Sequence, residues 1–283
     1  MTQITHWING ALDTHASQRS GEVFNPATGK VTKTVAFADV ATVDRAVNAA
    51  TEAFATWRHS SLTKRTQVLF AFRELVQQNK EKIAALITDE HGKVLSDAAG
   101  EVTRGLEVVE FACGIPHLLK GGFSEEVSSG VDVYSIRQAL GPVAIISPFN
   151  FPAMVPMWFF PVAIACGNTV VVKPSEKDPS AAMFMAQLWK EAGLPDGVFN
   201  VVHGDKEAVD AFNTANEFLL NTQPGCRARR ANPIGVWSLG SGVHPRARPR
   251  KFAQALGSGV MGSGVIKVGT SLRLLTTSST RPN

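Results

Sequence analysis

Residues 138–172, between Arg137 and Lys173, contain no Asp, Glu, Lys or Arg. A stretch this long without charge has to be buried, in a protein core or in a membrane. Pro142, Pro148, Pro152, Pro156 and Pro161 punctuate it, together with Asn150 and Asn168. A membrane helix tolerates one or two such breakers, not this density. The stretch therefore predicts core: a short apolar strand over 142–146, a turn, a helix from about 153 to 165, and a second strand over 169–172. Strands apolar on both faces belong to a parallel sheet covered on both sides.

The flanking sequence carries the same pattern outward. Residues 7–36 read as short strands and turns, with Asn25-Pro26-Ala27-Thr28-Gly29 as the turn signal. Asp39 opens a helix bearing Val43, Ala46, Val47, Ala50, Ala53 and Phe54 at helical spacing. Two or three more helices fill 61–118, with stripes of Val68, Leu69, Phe72 and Leu75, of Ile83, Leu86 and Ile87, and of Leu106, Val109 and Phe111. Val127, Val131, Val133, Tyr134 and Ile136 make 124–141 extended. Beyond the second strand, Pro179-Ser180 starts a helix to about Glu191, Asp196-Gly197 turns, and 198–202 is a third strand. Asp205 then caps a helix to about Phe212. Strand–helix–strand–helix–strand predicts an α/β fold with a doubly wound parallel sheet.

The net charge of +4 averages two unlike parts. Residues 1–213 hold 18 Lys+Arg against 23 Asp+Glu; residues 214–283 hold 10 against Glu217 alone. The basic pI belongs to the tail and is no sign that the body binds nucleic acid. Cys113, Cys166 and Cys226 are too few and too scattered for a disulfide framework or a zinc site, so no metal and a reducing compartment are expected. The N-terminus has neither the basic nor the apolar region of a signal peptide, which predicts a cytoplasmic protein without membrane contact. Past about 212 periodicity fails, and the tail reads as irregular or disordered. Its Gly257-Ser258-Gly259-Val260-Met261-Gly262 is a formal dinucleotide fingerprint, but it follows no strand, and no acid stands downstream to hold a ribose.

Two segments carry chemistry. Ser147-Pro148-Phe149-Asn150-Phe151-Pro152 follows the first buried strand, and Lys173-Pro174-Ser175-Glu176-Lys177 ends the second. Open α/β sheets bind ligands beyond the carboxyl ends of their strands. With Phe24 to Gly29, Gly100-Glu101-Val102-Thr103-Arg104-Gly105 and the run from Cys166 to Val172, these segments resemble the aldehyde dehydrogenase superfamily over about 1–211. The Arg104 segment and Met154-Val155-Pro156 resemble its CoA-acylating methylmalonate-semialdehyde dehydrogenase branch. The resemblance implies the N-terminal part of that fold: a Rossmann-like NAD-binding domain over 1–213, incomplete, with 124–141 as oligomerisation-type strands of a homo-oligomer.

It also implies the reaction. A cysteine thiolate attacks an aldehyde, hydride passes to NAD, and the thioester passes to coenzyme A with loss of CO₂. Asn150 would donate to the developing oxyanion through its amide. Lys173 and Glu176 would contact the adenosine ribose, the carboxylate favouring NAD over NADP. Ser147, Phe149 and Lys177 fall at further cofactor positions. Arg104 would hold the carboxylate of the semialdehyde substrate. Read as a helix residue alone, Arg104 would be solvated or paired with Glu101. Cys166 matches a family position that is not the nucleophile, and the flanks of Cys226 do not match the nucleophile motif.

The glycine loop, the nucleophilic cysteine and the catalytic domain of the superfamily belong C-terminal to residue 211, and none is recognisable in 212–283. The expectation is a reading frame disrupted near 212, a basic non-homologous tail over 214–283, and a chain without turnover. It carries a hazard: an unpaired strand edge and a bare apolar face on the 153–165 helix. Two other readings stand beside it. One is a non-catalytic NAD-binding or oligomerisation partner of an intact homologue. The other is polyanion binding through 227–230 and 246–251, without specific nucleic-acid recognition.

Overall fold

A computed structural model describes residues 2–15, 17–222, 237–238 and 272–275, with side chains over 2–15 and 17–215. The chain opens with β1 (Thr2–Ile4), β2 (Trp7–Ile8), β3 (Ala11–Leu12), β4 (Arg19–Asn25) and β5 (Lys30–Phe37). β1, β5 and β4 form a small sheet. The Asn25 turn closes β4 on β5, with the Gly29 N–H donating to the Asn25 carbonyl at 2.8 Å.

Four helices follow: α1 (Val40–Trp57), α2 (Leu62–Gln78), α3 (Lys80–His91) and α4 (Leu95–Cys113), with a single turn, α5 (Ile115–Leu118). The first two start where short polar side chains cap them. Asp39 accepts from Thr42 N at 2.8 Å, and Ser61 accepts from Lys64 N at 3.2 Å. β6 (Phe123–Ser128) and β7 (Val131–Arg137) then form the predicted extended hairpin.

The central part alternates as the sequence predicts: β8 (Pro142–Ile146), α6 (Met154–Ala165), β9 (Thr169–Lys173), α7 (Ser180–Glu191), β10 (Phe199–Val201) and α8 (Lys206–Thr222). β8, β9 and β10 are parallel neighbours. Period-two alternation divides their side chains between two cores. Val143, Ile145, Val170, Val172, Phe199 and Val201 meet the layer that contains α2, α3, α4, α6 and α7. Ala144, Val171 and Val202 meet Val43, Ala46, Val47 and Ala50 of α1 and Ala208, Ala211 and Phe212 of α8. Each fully buried Val, Ile or Phe is worth about 1.5–3 kcal/mol, so these two faces carry much of the folding energy. In the larger core Phe72 stacks on Trp189 at 3.6 Å, and Phe160 meets both edge-on.

Three findings depart from expectation. α8 runs to Thr222, ten residues beyond the point where apolar spacing ended it, because nothing before Pro224 breaks a helix. The edges of the parallel sheet are both met. β11 (Trp237–Ser238) pairs parallel with β8 opposite Ile145 and Ile146, and β2 pairs antiparallel with β10 at Trp7–Val201. The 153–165 helix is not bare either: α6 buries Met154, Val155, Met157, Phe160 and Ile164, and of its large apolar side chains only Trp158 is exposed. β12 (Leu272–Leu275) pairs antiparallel with β7. The basic clusters at 227–230 and 246–251, Cys226 and the glycine run at 257–264 lie outside the described residues. Among the described residues no helix is long and apolar enough to cross a membrane, and no group of three or more His, Cys, Asp or Glu is placed to hold a metal.

Candidate functional site

β8 and β9 end side by side, with Ile146 opposite Lys173. That register brings the two chemistry-bearing segments together at the carboxyl edge of the sheet. The Ser147 N–H continues the ladder by one bond, to the Lys173 carbonyl at 3.1 Å. Ser147 is buried, and its hydroxyl has no hydrogen-bond partner. Lys173 is buried too, and its Nζ donates to Glu176 Oε2 at 3.3 Å. Glu176 is about one third exposed, so its carboxylate is anchored and still open to a ligand.

Phe149 is half exposed and sits beside two side chains. Lys177 Nζ lies 5.2 Å from its ring centroid, within cation–π range, and the His91 ring stacks on it at 5.3 Å. Burial, with Lys93 adding and Glu101 opposing, lowers the His91 pKa, so this ring is neutral at pH 7. Asn150 is exposed, and its side-chain amide makes no hydrogen bond among the described residues, which leaves its donor free.

The turn that carries Asn150 is held from α4. Glu101 is buried, and its Oε1 accepts from the N–H groups of Ala153 (2.9 Å) and Met154 (3.1 Å), at the N-terminus of α6. Glu101 Oε2 pairs with Lys93 Nζ at 2.6 Å. Lys93 Nζ also donates to the Asn150 carbonyl at 2.9 Å and lies 4.5 Å from the Phe151 ring centroid. The second turn is held in the same way from α3. Glu90 accepts from the backbone N–H of Ser180 at 2.9 Å and from its hydroxyl, and pairs with Lys33 Nζ at 2.7 Å. Neither glutamate was legible as a cap, since each acts on a helix 52 to 90 residues downstream. The only sequence signal is two acids falling on the inward faces of amphipathic helices.

Arg104 is exposed on α4, with no ion pair among the described residues. Of the two plain helix-residue readings, solvated or paired with Glu101, the solvated one holds, because Glu101 is turned inward to Lys93 and α6. Burial raises the Cys113 thiol to about 11 and pushes Cys166 up as well, so neither is a competent thiolate at neutral pH.

The aldehyde dehydrogenase family profile matches residues 13–220. The chain belongs to the aldehyde dehydrogenase family. It is 52% identical over 257 residues to a malonate-semialdehyde dehydrogenase of Pseudomonas aeruginosa, covering 91% of this chain and 50% of that one. It is 45% identical over 240 residues to a probable mitochondrial methylmalonate-semialdehyde/malonate-semialdehyde dehydrogenase of Dictyostelium discoideum, covering 85% and 44%. Among solved structures it matches methylmalonate-semialdehyde dehydrogenase from Oceanimonas doudoroffii (51% identity, TM-score 0.73) and a putative one from Sinorhizobium meliloti 1021 complexed with NAD (44%, TM-score 0.74). Each of those two alignments covers 78% of this chain and 48% of the other. This aldehyde dehydrogenase chain thus spans about half the length of the relatives it matches, and its fold is that of their N-terminal part.

Proposed function

We propose that the chain supplies the cofactor side of a methylmalonate- or malonate-semialdehyde dehydrogenase and binds NAD without turning over on its own. The observation that carries this reading is the Ile146–Lys173 register, which sets the Asn150 turn beside Lys173 and Glu176. The residues fit the cofactor: an anchored, partly open carboxylate for ribose hydroxyls, an unpartnered buried Ser147 hydroxyl, and an exposed aromatic ring at Phe149. When bound, NAD supplies the hydride acceptor of an aldehyde oxidation. Lys173 and Glu176 would hold the adenosine ribose, with Ser147, Phe149 and Lys177 along the same edge. Glu176 would repel a 2′-phosphate, which favours NAD over NADP. Asn150 would present its amide to the oxyanion, and Arg104 would meet the substrate carboxylate. Neither described cysteine suits the nucleophile's task, since burial keeps both thiols protonated. Coenzyme A as acyl acceptor belongs to the complete enzyme. The free thiols of Cys113 and Cys166 fit a reducing, cytoplasmic-type compartment.

Titration calorimetry of the full chain tests the reading. NAD should bind, NADP should bind at least about tenfold more weakly, and Glu176→Ala should erase that difference. Absorbance at the NADH maximum, with malonate semialdehyde and coenzyme A present, should not rise above background. Equal affinity for NAD and NADP in the unaltered chain would sink the assignment of Glu176. A second reading, a non-catalytic partner of an intact homologue, is favoured by Phe123 and Val127, which lie exposed on β6. Co-purification with a full-length homologue, lost on Phe123→Ser, would support it.

A further inference from the structure

We propose that Lys93 and Glu101 form the positioning pair for the Asn150 turn, an inference that rests on the cofactor reading above. In a doubly wound sheet the N–H groups at the start of the helix after a strand are the usual seat of a cofactor pyrophosphate. Here the Ala153 and Met154 N–H groups are already taken by a buried carboxylate of the chain itself. Glu101 is therefore a resident anion at the α6 N-terminus, and a phosphate has no place there. The carboxylate's charge is matched by Lys93 alone, at 2.6 Å among the described residues. Lys93 in turn spends a second donor on the Asn150 carbonyl and covers the Phe151 ring. One charged pair thus fixes the turn at three consecutive points: the Asn150 carbonyl, the Phe151 ring and the start of α6.

A backbone held in this way has one consequence for chemistry. The Asn150 amide must meet an oxyanion at a defined point, and a donor is useful only where its position is set before the charge develops. The pair touches neither substrate nor cofactor. It acts through Asn150, and through the Ser147–Phe149 edge on which the reacting end of the cofactor would lie. The loop after Lys173 and Glu176, the proposed adenosine end, is held separately where it enters α7, at Ser180, by Glu90 of α3, which Lys33 of β5 pairs.

This separation supplies the test. AMP reads only the adenosine end, whereas NAD also reads the turn. The double variant Lys93→Met/Glu101→Gln leaves no buried charge uncompensated and keeps a carbonyl oxygen for the α6 N–H groups. It should retain AMP affinity within about twofold and the wild-type melting temperature, while NAD affinity falls about tenfold, the scale of one charge-assisted hydrogen bond. Amide exchange over 148–155 should quicken about tenfold, with α3 and α7 unchanged. The single variant Lys93→Arg keeps the charge and the donors and should leave both readouts at their wild-type values. Unchanged NAD affinity in the double variant overturns the proposal, and so does an equal loss of NAD and AMP binding, which marks general loosening. If the unaltered chain binds neither ligand, the cofactor reading has failed. Exchange over 148–155 then decides by itself whether the pair holds the turn, and unchanged rates would refute it.

Discussion

Asp178 lies in the loop between β9 and α7 with its carboxyl almost fully buried and neither oxygen in hydrogen-bonding geometry. Burial raises its pKa to about 8; Ser175 opposes the rise, Glu90 and Glu101 add to it, and Lys93 opposes it. The two capping glutamates already use the nearby lysines, so a third carboxylate has no cation of its own, and Asp178 is a neutral acid at pH 7. The sign of the stability effect follows. The unfolded chain loses this proton near pH 4 and the folded chain near 8, so the folded chain holds one proton more between them. Stability contributed here falls as pH rises through that window and stays low above it. Asp178→Asn removes the proton and keeps the shape. It should be about as stable as wild type at pH 4 and more stable by roughly 5 kcal/mol at pH 8.5, since one pKa unit is worth about 1.4 kcal/mol. Urea titrations at the two pH values check this. Equal stability at pH 8.5 would mean that the site accepts an ionised carboxylate.

At the scale of elements, the helices divide by how they begin. α1 and α2 carry their caps in the adjacent sequence, at Asp39 and Ser61, and α1 was legible to its first residue. α6 and α7 have no side-chain cap of their own, and their N-termini are satisfied by Glu101 and Glu90 from other helices. The apolar run over 138–172 revealed the strand–helix–strand pattern, since burial leaves a compositional mark. Polar satisfaction across the fold leaves none, so the groups that hold the site in place were invisible while the groups beside it could be named. Phe111 shows the same limit on α4. Its spacing put it in the stripe, yet it is exposed, because Ala98, Val102, Gly105, Leu106, Val109 and Ala112 define the inner face. Gly105 marks where α4 crosses α6. A methyl group there would stand 2.3 Å from Met157 Cε and 3.2 Å from its Cβ. Helix propensity favours Gly105→Ala by about 1 kcal/mol, and overpacking in a filled core costs about 1–3 kcal/mol. Met157 is fully buried and has little room to yield, so the clash should win, with a net loss of about 1 kcal/mol in thermal or urea unfolding. The loss should shrink in a Met157→Ala background. The same loss in both backgrounds would place the clash at another residue.

At the scale of the whole molecule, the N-terminal segment and the loop between β9 and α7 oppose each other in their response to pH. His6, next to the strand that covers β10, is buried, and its Nδ1 accepts from the His203 N–H at 3.1 Å; the two rings stack at 5.8 Å. Burial lowers the His6 pKa to about 4, with Asp13 opposing the shift, and holds His203 well below its ordinary value. Both rings are neutral in the folded chain, while the unfolded chain protonates them near 6.5. Their contribution is complete above pH 6.5 and is lost as pH falls toward 4. Asp178 runs the other way over the wider window from about 4 to 8. Between pH 4 and 6.5 His6 and His203 act against one aspartate, and His91, also lowered by burial, adds to them, so stability should rise with pH by at least about 1.4 kcal/mol per unit. Above 6.5 the histidines are spent, and stability should fall by a similar slope until about pH 8, giving a maximum near 6.5. Each limb has its own variant. His6→Asn keeps an acceptor for the His203 N–H without a titrating ring and should make the acid limb shallower. Asp178→Asn should level the alkaline limb and steepen the acid one. Urea midpoints across pH 4.5–9 for the three chains decide it: a maximum that stays in place in both variants would mean that other groups set the profile.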